Sequence, residues 1–238
     1  MRFIQLETVG STQDEARALY RKGERGPLWV RADAQTSGRG RRDRSWVSRT
    51  GNLYTTLLIP NDCPPAESAL HGFATSLAIA RTLGSYHPSK AVTLKWPNDV
   101  LIGGAKVSGL LVEREPEALL IGIGINLTSH PEDLPYPATD LTTELLKGDI
   151  SDVAQETDAQ AVLTRLSVKV VAQIERLRRD GFDLICKDWL AYAHHRGKRI
   201  MVNGQSGTFA GLADDGALCL MQDDGTEVRV HAGDVAFG

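Results

Sequence analysis

The last part of the chain, residues 196–238, carries the pattern that most narrows what the chain can fold into. Short β-like runs (RIMVN, GTFAGL, ALCLMQ and EVRVH) surround the turns Asp214–Gly216 and Asp223–Gly225. Asp-Gly readily supplies the positive φ of a tight hairpin, so this pattern predicts antiparallel strands. A unit this short is marginally stable alone, and we expect it to pack on the preceding residues. We therefore predict a small β domain at 196–238.

Residues 1–195 carry mixed helix and strand patterns and form the first predicted domain. Thr12 and Glu15 make a T-x-x-E pattern, which predicts that Thr12 caps the first helix. The pair Gly103-Gly104 predicts a hairpin between neighbouring strands. Apolar spacing predicts helices over 12–20, 67–84, 153–179 and 182–195, and strands over 28–34, 53–59, 91–96, 105–113 and 118–127. The predicted fold class is α+β, followed by the small β domain.

Composition and spacing exclude several classes of protein. With 27 Lys plus Arg against 30 Asp plus Glu, the formal charge is −3, which does not indicate a general nucleic-acid binder. No apolar run reaches the ~18–20 residues of a membrane span, and the start lacks a signal-peptide core. Cys63, Cys186 and Cys219 are odd in number and widely spaced, which argues against a disulfide framework. His194 and His195 lack a third ligand at metal spacing. We expect a cytoplasmic protein.

One segment departs from this near-neutral average. Residues 38–49, GRGRRDRSWVSR, contain five arginines against one aspartate, and we call them the arginine loop. Gly38 and Gly40 let the backbone approach a ligand closely, and each guanidinium offers a fork of donors to a carboxylate or phosphate. On charge alone, a solvated basic loop or a local nucleic-acid patch is an equally good interpretation.

Three further segments contain polar residues or glycines at spacings that suit a ligand-binding site. Pro97 within Lys95–Asp99 fixes the angle at which the chain leaves its strand, so a turn with exposed side chains is expected at 98–99. Lys106 lies in an apolar run ending at Glu113, facing either water or a pocket. Gly122–Asn126 reads G-I-G-I-N, whose glycines would admit a flat ligand or a closely packed helix. Walker A, G-x-G-x-x-G and G-x-S-x-G patterns are absent from the sequence.

Taken in order, these segments resemble the biotin protein ligase family. The matches are Ser11–Gln13, Gln35–Arg41, Trp46, Lys95–Asp99, Lys106–Glu113, Gly122–Asn126 and Ala138–Leu141. The resemblance implies a mixed-sheet catalytic domain followed by an SH3-like domain. It also implies an ATP-dependent ligase that forms biotinyl-5′-AMP and transfers biotin to a lysine of a biotin carboxyl carrier protein, releasing AMP and pyrophosphate. Because the sequence starts at the catalytic domain, we expect no DNA partner, and because it lacks a long apolar run, we expect no membrane association; a homodimer is left open.

The resemblance also implies roles for individual residues. Lys106, Arg39 and Arg41 are the expected catalytic residues, and Asp99 is the expected Mg²⁺ ligand. The expected biotin-binding residues are Ser11, Thr12, Gln13, Gln35, Gly38, Arg39, Gly40, Arg41, Lys106 and Gly109. The expected ATP-binding residues are Arg41, Arg44, Trp46, Lys95, Asn98, Lys106 and Asn126.

Two positions depart from the family pattern. Asp43 stands where the family usually has glycine, which stiffens the arginine loop and cancels one positive charge, so we expect weaker retention of the adenylate. Gln13 replaces an asparagine and keeps the amide. The alternatives are a lipoate–protein ligase of the same superfamily and a non-catalytic module that binds biotin or nucleic acid. Ser11, Thr12 and Gln35 favour recognition of a ureido group over a dithiolane.

Overall fold

The computed structural model describes residues 1–86, 91–147 and 157–236, and its larger sheet has seven strands. The strands are β1 (Arg2–Val9), β2 (Leu28–Gln35), β3 (Leu53–Pro60), β4 (Val92–Lys95), β5 (Asp99–Ile102), β6 (Ala105–Glu115) and β7 (Ala118–Ile125). Their order across the sheet is β1-β2-β3-β7-β6-β5-β4. The β1–β2 pair is parallel and the other neighbouring pairs are antiparallel, so the predicted mixture of strands and helices is confirmed.

Helices cover both faces of this sheet because successive side chains of a strand point to opposite sides. Leu58 and Leu120 pack with Ala16 of the first helix, whereas their chain neighbours Leu57 and Ile121 belong to the larger core on the other face. That larger core is built with the long helices. The helices are α1 (Thr12–Arg21), α2 (Leu70–Leu83), α3 (Leu141–Leu146), α4 (Ala159–Asp180) and α5 (Phe182–Tyr192).

A second, five-stranded sheet forms the C-terminal unit, in the order β11-β10-β9-β8-β12. Both Asp-Gly turns adopt the predicted positive φ, with Gly216 at 80° and Gly225 at 83°. The first turn packs on α2, where a Cβ at Gly216 would lie 2.6 Å from Phe73 Cε2. Trp96 Nε1 also donates to Gly216 O at 3.0 Å. The strands are β8 (Arg199–Val202), β9 (Gln205–Leu212), β10 (Leu218–Met221), β11 (Glu227–Val230) and β12 (Val235–Ala236).

Several local predictions are corrected by the structure. Ser11, not Thr12, caps α1, because the Ser11 side chain accepts the Gln13 amide hydrogen. The edge strand β1 was not predicted. Asp99 is half-buried at the start of β5 rather than exposed in a turn, and β5 separates two strands that the sequence analysis joined directly. Gly103-Gly104 does form a hairpin, between β5 and β6.

The helix ends also differ in detail from their predictions. A short 3₁₀ turn, Pro65–Glu67, precedes α2. Gly181, with φ of 80°, separates α4 from α5, and α5 ends before His194 and His195. Positions 153–156 of the predicted long helix lie outside the described residues. In the described ranges, none of the helices has both the length and the apolarity that crossing a membrane requires.

Candidate functional site

The arginine loop covers a cavity that lies over β6, β7 and the start of α1. Thirteen of the residues assigned from the sequence line this cavity, although they come from distant parts of the chain. They are Ser11, Thr12, Gln13, Gln35, Arg39, Gly40, Arg41, Arg44, Trp46, Asn98, Asp99, Lys106 and Gly109. The lining residues that the sequence analysis did not assign are Ser45, Leu110, Leu111, Gly122, Ile123, Gly124 and Tyr136.

The floor of the cavity is a flat slot made by glycines on two paired strands. Gly109 of β6 lies opposite Gly124 of β7. The Trp46 indole rests on both: a Cβ at Gly124 would lie 2.5 Å from Trp46 Cε2, and one at Gly109 would lie 3.0 Å from Cζ3. Any larger residue at Gly124 would displace the indole. Gly109 and Gly124 therefore make room for a flat side chain of the arginine loop, the Trp46 indole.

Polar groups at the start of α1 form one end of the cavity. Gln35 Oε1 accepts from the Thr12 backbone N–H at 2.8 Å and from Thr12 Oγ1 at 3.2 Å, while Gln35 Nε2 donates to Ser48 Oγ at 2.9 Å. Thr56 Oγ1 donates to Thr12 Oγ1 at 2.9 Å. These bonds fix the Gln35 and Thr12 side chains, so this end offers pre-oriented polar groups to a small ligand.

Two carboxylates from different elements hold the arginine loop. Arg39 makes a bidentate pair with Asp14 of α1 at 2.6 and 2.7 Å, and this pair lowers the pKa of Asp14. From the C-terminal unit, Asp234 accepts from Arg44 at 2.9 Å and from Arg42 at 3.4 Å. Neither carboxylate has a local sequence pattern that points to this role, because both act across long chain separations.

Arg41 differs from the other loop arginines in its partners. It donates to two neutral oxygens, Asn98 Oδ1 at 3.2 Å and Gly233 O at 3.5 Å. The guanidinium is half-buried, and this burial lowers the pKa of Arg41. A buried cation held by neutral groups retains its attraction for an anion that enters the cavity.

Lys106 points into the cavity, which resolves the two orientations that its sequence position left open. Its Nζ lies 2.8 Å from Asp99 Oδ1 and 5.4 Å from the ring centroids of both Trp46 and Tyr136. The Lys106 backbone N–H donates to Pro137 O at 2.9 Å, which brings Tyr136 to the site from a separate segment. Because this pairing joins distant residues, nothing in the local sequence indicated Tyr136.

Three predicted site residues lie outside this cavity. A Cβ at Gly38 would lie 2.5 Å from Trp46 O, so this glycine permits close packing within the arginine loop. Lys95 lines an adjoining cavity with Arg44, Lys106 and other residues, and burial lowers the pKa of Lys95. Asn126 is buried, and its Nδ2 donates to Thr139 O at 3.1 Å.

No cluster of three or more His, Cys, Asp or Glu side chains suited to a metal ion occurs within the described ranges. His194 and His195 stack edge to face beside the adjoining cavity. Burial, followed by the charges of His195 and Lys95, lowers the pKa of His194 to about 4. The prediction for Asp43 concerns a side chain that lies outside the described structure.

The sequence matches two family profiles. Residues 9–128 match the family described as "Biotin/lipoate A/B protein ligase family", and residues 198–238 match "Biotin protein ligase C terminal domain". The chain is 32% identical to a biotin–[acetyl-CoA-carboxylase] ligase of Paracoccus denitrificans, covering 98% of this chain and 99% of the relative. It is 29% identical to the bifunctional ligase/repressor BirA of Bacillus subtilis, covering 99% of this chain and 74% of that relative.

Solved structures show the same architecture. A biotin protein ligase from Aquifex aeolicus in complex with biotin and ATP superposes with a TM-score of 0.82 at 26% identity, covering 99% of this chain and 97% of that chain. A biotin protein ligase from Leishmania major in complex with biotinyl-5-AMP gives a TM-score of 0.70 at 26% identity, covering 97% and 99% of the two chains. These likenesses confirm the predicted fold, a mixed sheet followed by a separate antiparallel sheet.

Proposed function

Because the chain belongs to the biotin/lipoate A/B protein ligase family, we propose that it activates biotin with ATP and transfers it to a lysine of a biotin carboxyl carrier protein. The observation that carries this proposal is one cavity that combines a flat, glycine-floored slot with the inward-pointing cations Arg41 and Lys106. The glycine floor carries the Trp46 indole, whose flat face suits a stacked adenine, and the cations suit the carboxylate and phosphates that must meet beside it.

The first half-reaction joins two anions. A biotin carboxylate oxygen attacks the α-phosphorus of ATP, the bond from that phosphorus to the β-phosphate bridging oxygen breaks, and pyrophosphate leaves. Two like unit charges 4 Å apart repel by about 1 kcal/mol in water and by ~4 kcal/mol at an effective dielectric near 20. We assign Lys106, Arg39 and Arg41 to offset this repulsion, with Lys106 stabilising the charge that develops in the transition state.

The biotin end of the cavity is assigned to the pre-oriented polar groups. Ser11, Thr12, Gln13 and Gln35 would contact the ureido ring, and Gly109 would allow its close approach. Gly38 and Gly40 would let the arginine loop lie close over biotin. The hydrogen bonds that hold the Ser11, Thr12, Gln13 and Gln35 side chains support this assignment, because groups that are already oriented need little ordering when a ligand binds.

The nucleotide would extend from Trp46 towards the adjoining cavity. Arg44, Lys95, Asn98 and Asn126 are assigned to it, with Asn126 acting by holding the segment behind Lys106. Asp99 fits a Mg²⁺ ion, which typically takes one or two protein carboxylates together with substrate phosphates, and the ion would screen phosphate charge. Asp99 Oδ1 also accepts a hydrogen bond from Lys106 Nζ, so the same carboxylate orients this cation.

In the second half-reaction, the acceptor lysine amine attacks the acyl carbon of biotinyl-5′-AMP. An amide forms, AMP leaves with the bonding electrons of the mixed anhydride, and the amine loses a proton. The proposal includes a cytoplasmic location, since the described cysteines are free thiols of the kind found in reducing compartments. It also includes the division into a catalytic domain at 1–195 and a C-terminal domain at 196–238.

Biotin-dependent exchange of pyrophosphate into ATP tests the proposal. We expect exchange with biotin and Mg²⁺ and little with lipoate. Exchange with lipoate but not biotin would indicate the lipoate–protein ligase alternative. No exchange with either acid would indicate the binding module instead.

A further inference from the structure

The Gln13 side chain is locked in one orientation beneath the cavity floor. Its Nε2 donates to Glu113 Oε2 at 3.0 Å, and it lies 3.3 Å from Leu120 O and 3.4 Å from Leu111 O. All three neighbours are acceptors, so rotating the amide by a half turn would place Oε1 against three oxygens. The amide nitrogen must therefore face Glu113.

The other end of the same amide has an unmet requirement. Gln13 is 4% exposed, and its Oε1 has no hydrogen-bond partner among the described residues. A Cβ at Gly122 would lie 3.0 Å from this oxygen, and both residues line the cavity. A buried acceptor without a donor is costly, and a ligand that supplies an N–H there removes the cost.

Glu113 is itself held in place by an ion pair. Arg17 of α1 donates to Glu113 Oε2 at 2.6 Å through Nη2 and to Glu115 Oε1 at 2.6 Å through Nε. Both carboxylates lie on β6 and share this guanidinium, but Glu113 is the one that contacts Gln13. The pair thus provides a natural comparison between two similar carboxylates.

We propose that Glu113 is a positioning residue that sets the hydrogen-bond polarity of the cavity floor. By holding Gln13 Nε2, it presents Gln13 Oε1 to the ligand as an acceptor, so the site selects a ring that carries an N–H donor at that point. A cyclic urea meets this requirement. The inference rests on the proposed function and adds a selectivity rule to it.

Glu113→Gln tests the rule because a neutral amide at 113 can donate as well as accept. The charged acceptor beside Gln13 Nε2 is then gone, and only the carbonyl oxygens of Leu111 and Leu120 still oppose a turn of the Gln13 amide. The probes are biotin and its two cyclic carbamate analogues, in each of which one ring N–H is replaced by oxygen. For one analogue, we expect the ratio of kcat/KM for biotin to kcat/KM for the analogue to fall about tenfold. This is the value of the hydrogen bond from the ring N–H to Gln13 Oε1, which a turned amide no longer accepts. The KM of biotin should rise while the KM of ATP stays within about twofold, because the lost bond lies beneath the biotin end.

Glu115→Gln is the matched control, since it weakens the same Arg17 pair without touching Gln13. Its preference should stay within about twofold of the wild type, because Glu115 does not contact Gln13 and its loss leaves the Glu113–Gln13 bond in place. Equal effects in both variants, or an unchanged preference in Glu113→Gln, would overturn the inference. Absence of exchange in the wild type would instead overturn the proposed function, so the two failures are distinguishable.

A second variant keeps the test decisive if Glu113→Gln does not fold. Gln13→Met removes the acceptor and keeps an unbranched side chain, and circular dichroism checks its fold. We expect the ratio of kcat/KM for biotin to kcat/KM for the same analogue to fall about tenfold, the value of one hydrogen bond to a buried group. An unchanged preference would show that Oε1 does not face the ligand. Where Glu113→Gln does fold, adding it to Gln13→Met should change the preference no further.

Discussion

Asp234→Asn should weaken the binding of both substrates without slowing the saturated enzyme. Asp234 accepts from Arg44 at 2.9 Å and from Arg42 at 3.4 Å, and these side chains are about half exposed. Burial of Asp234 raises its pKa, but the hydrogen bond and charge of Arg44, with the charges of Arg42 and Arg41, outweigh burial and keep it below its ordinary value. The carboxylate is therefore charged at neutral pH, and its removal acts on the arginine loop from the C-terminal sheet.

The size of the effect follows from the exposure of these pairs. Exposed ion pairs contribute about 0.2–1 kcal/mol each, so the two together are worth about 1 kcal/mol. That energy corresponds to roughly a fivefold change in the fraction of molecules whose arginine loop is in the binding-competent conformation, because 1.4 kcal/mol corresponds to a tenfold change in an equilibrium constant. Apparent affinity scales with the binding-competent fraction, so the KM of biotin and of ATP should each rise about fivefold. The kcat should stay within about twofold, since bound ligands restore the loop.

The assay is pyrophosphate exchange at varied biotin and ATP, with Asp223→Asn as the control. Asp223 forms a more exposed bidentate pair with Arg199 at 2.6 and 2.8 Å, in the same C-terminal sheet but away from the loop. Its kinetics should match the wild type. A lower kcat at unchanged KM in Asp234→Asn, or a similar KM rise in Asp223→Asn, would contradict this role of Asp234 and indicate general destabilisation of the C-terminal sheet.

Further predictions concern Lys106, Gly124 and the partly buried His194. Lys106→Ala should fold normally and lose about 10²–10³ in kcat for exchange, as expected for a lost transition-state donor; near-normal turnover would contradict its role. Gly124→Ala should displace the Trp46 indole, change its fluorescence and reduce exchange at least about tenfold, because its Cβ would lie 2.5 Å from the ring. Gly211→Ala, where a Cβ meets nothing within 4 Å, is the control. The pKa of His194 is about 4 in the folded protein and 6.5 in the unfolded chain. Its contribution to the free energy of unfolding is therefore fully present above pH 6.5 and is lost as the pH falls through 4. The free energy of unfolding of His194→Asn, measured in urea between pH 4 and 6.5, should lack this pH-dependent contribution. The same pH profile in the variant and the wild type would contradict the prediction.

Much of the fold could be predicted because its determinants are local. The Asp-Gly turns encode the positive φ of Gly216 and Gly225, and largely apolar runs encode the buried strands β3 and β7. The strand β1 was missed because it is an edge strand with a largely exposed, mixed polar surface. The cap was misplaced by one residue because Ser11 and Thr12 are both good capping residues, and the local sequence does not rank them.

The candidate site was predictable where ordered motifs carried it and not where distant pairings built it. The residues of the arginine loop and Lys106 stand out by charge and glycine content. Tyr136 reaches Lys106 through a bridge between separate segments, and Asp14, Glu113 and Asp234 act through contacts across the fold. Such pairings depend on the three-dimensional arrangement, so no sequence spacing reveals them, although Glu113 itself ends the matched segment Lys106–Glu113.

The most direct test of the account is the intact mass of an acceptor. A biotin carboxyl carrier domain is incubated with the purified protein, biotin, ATP and Mg²⁺, in parallel with Lys106→Ala. We expect one biotinyl group on one lysine with the wild type, and far slower modification with the variant. An acceptor that stays unmodified with biotin, or that gains lipoate in its place, would contradict the account.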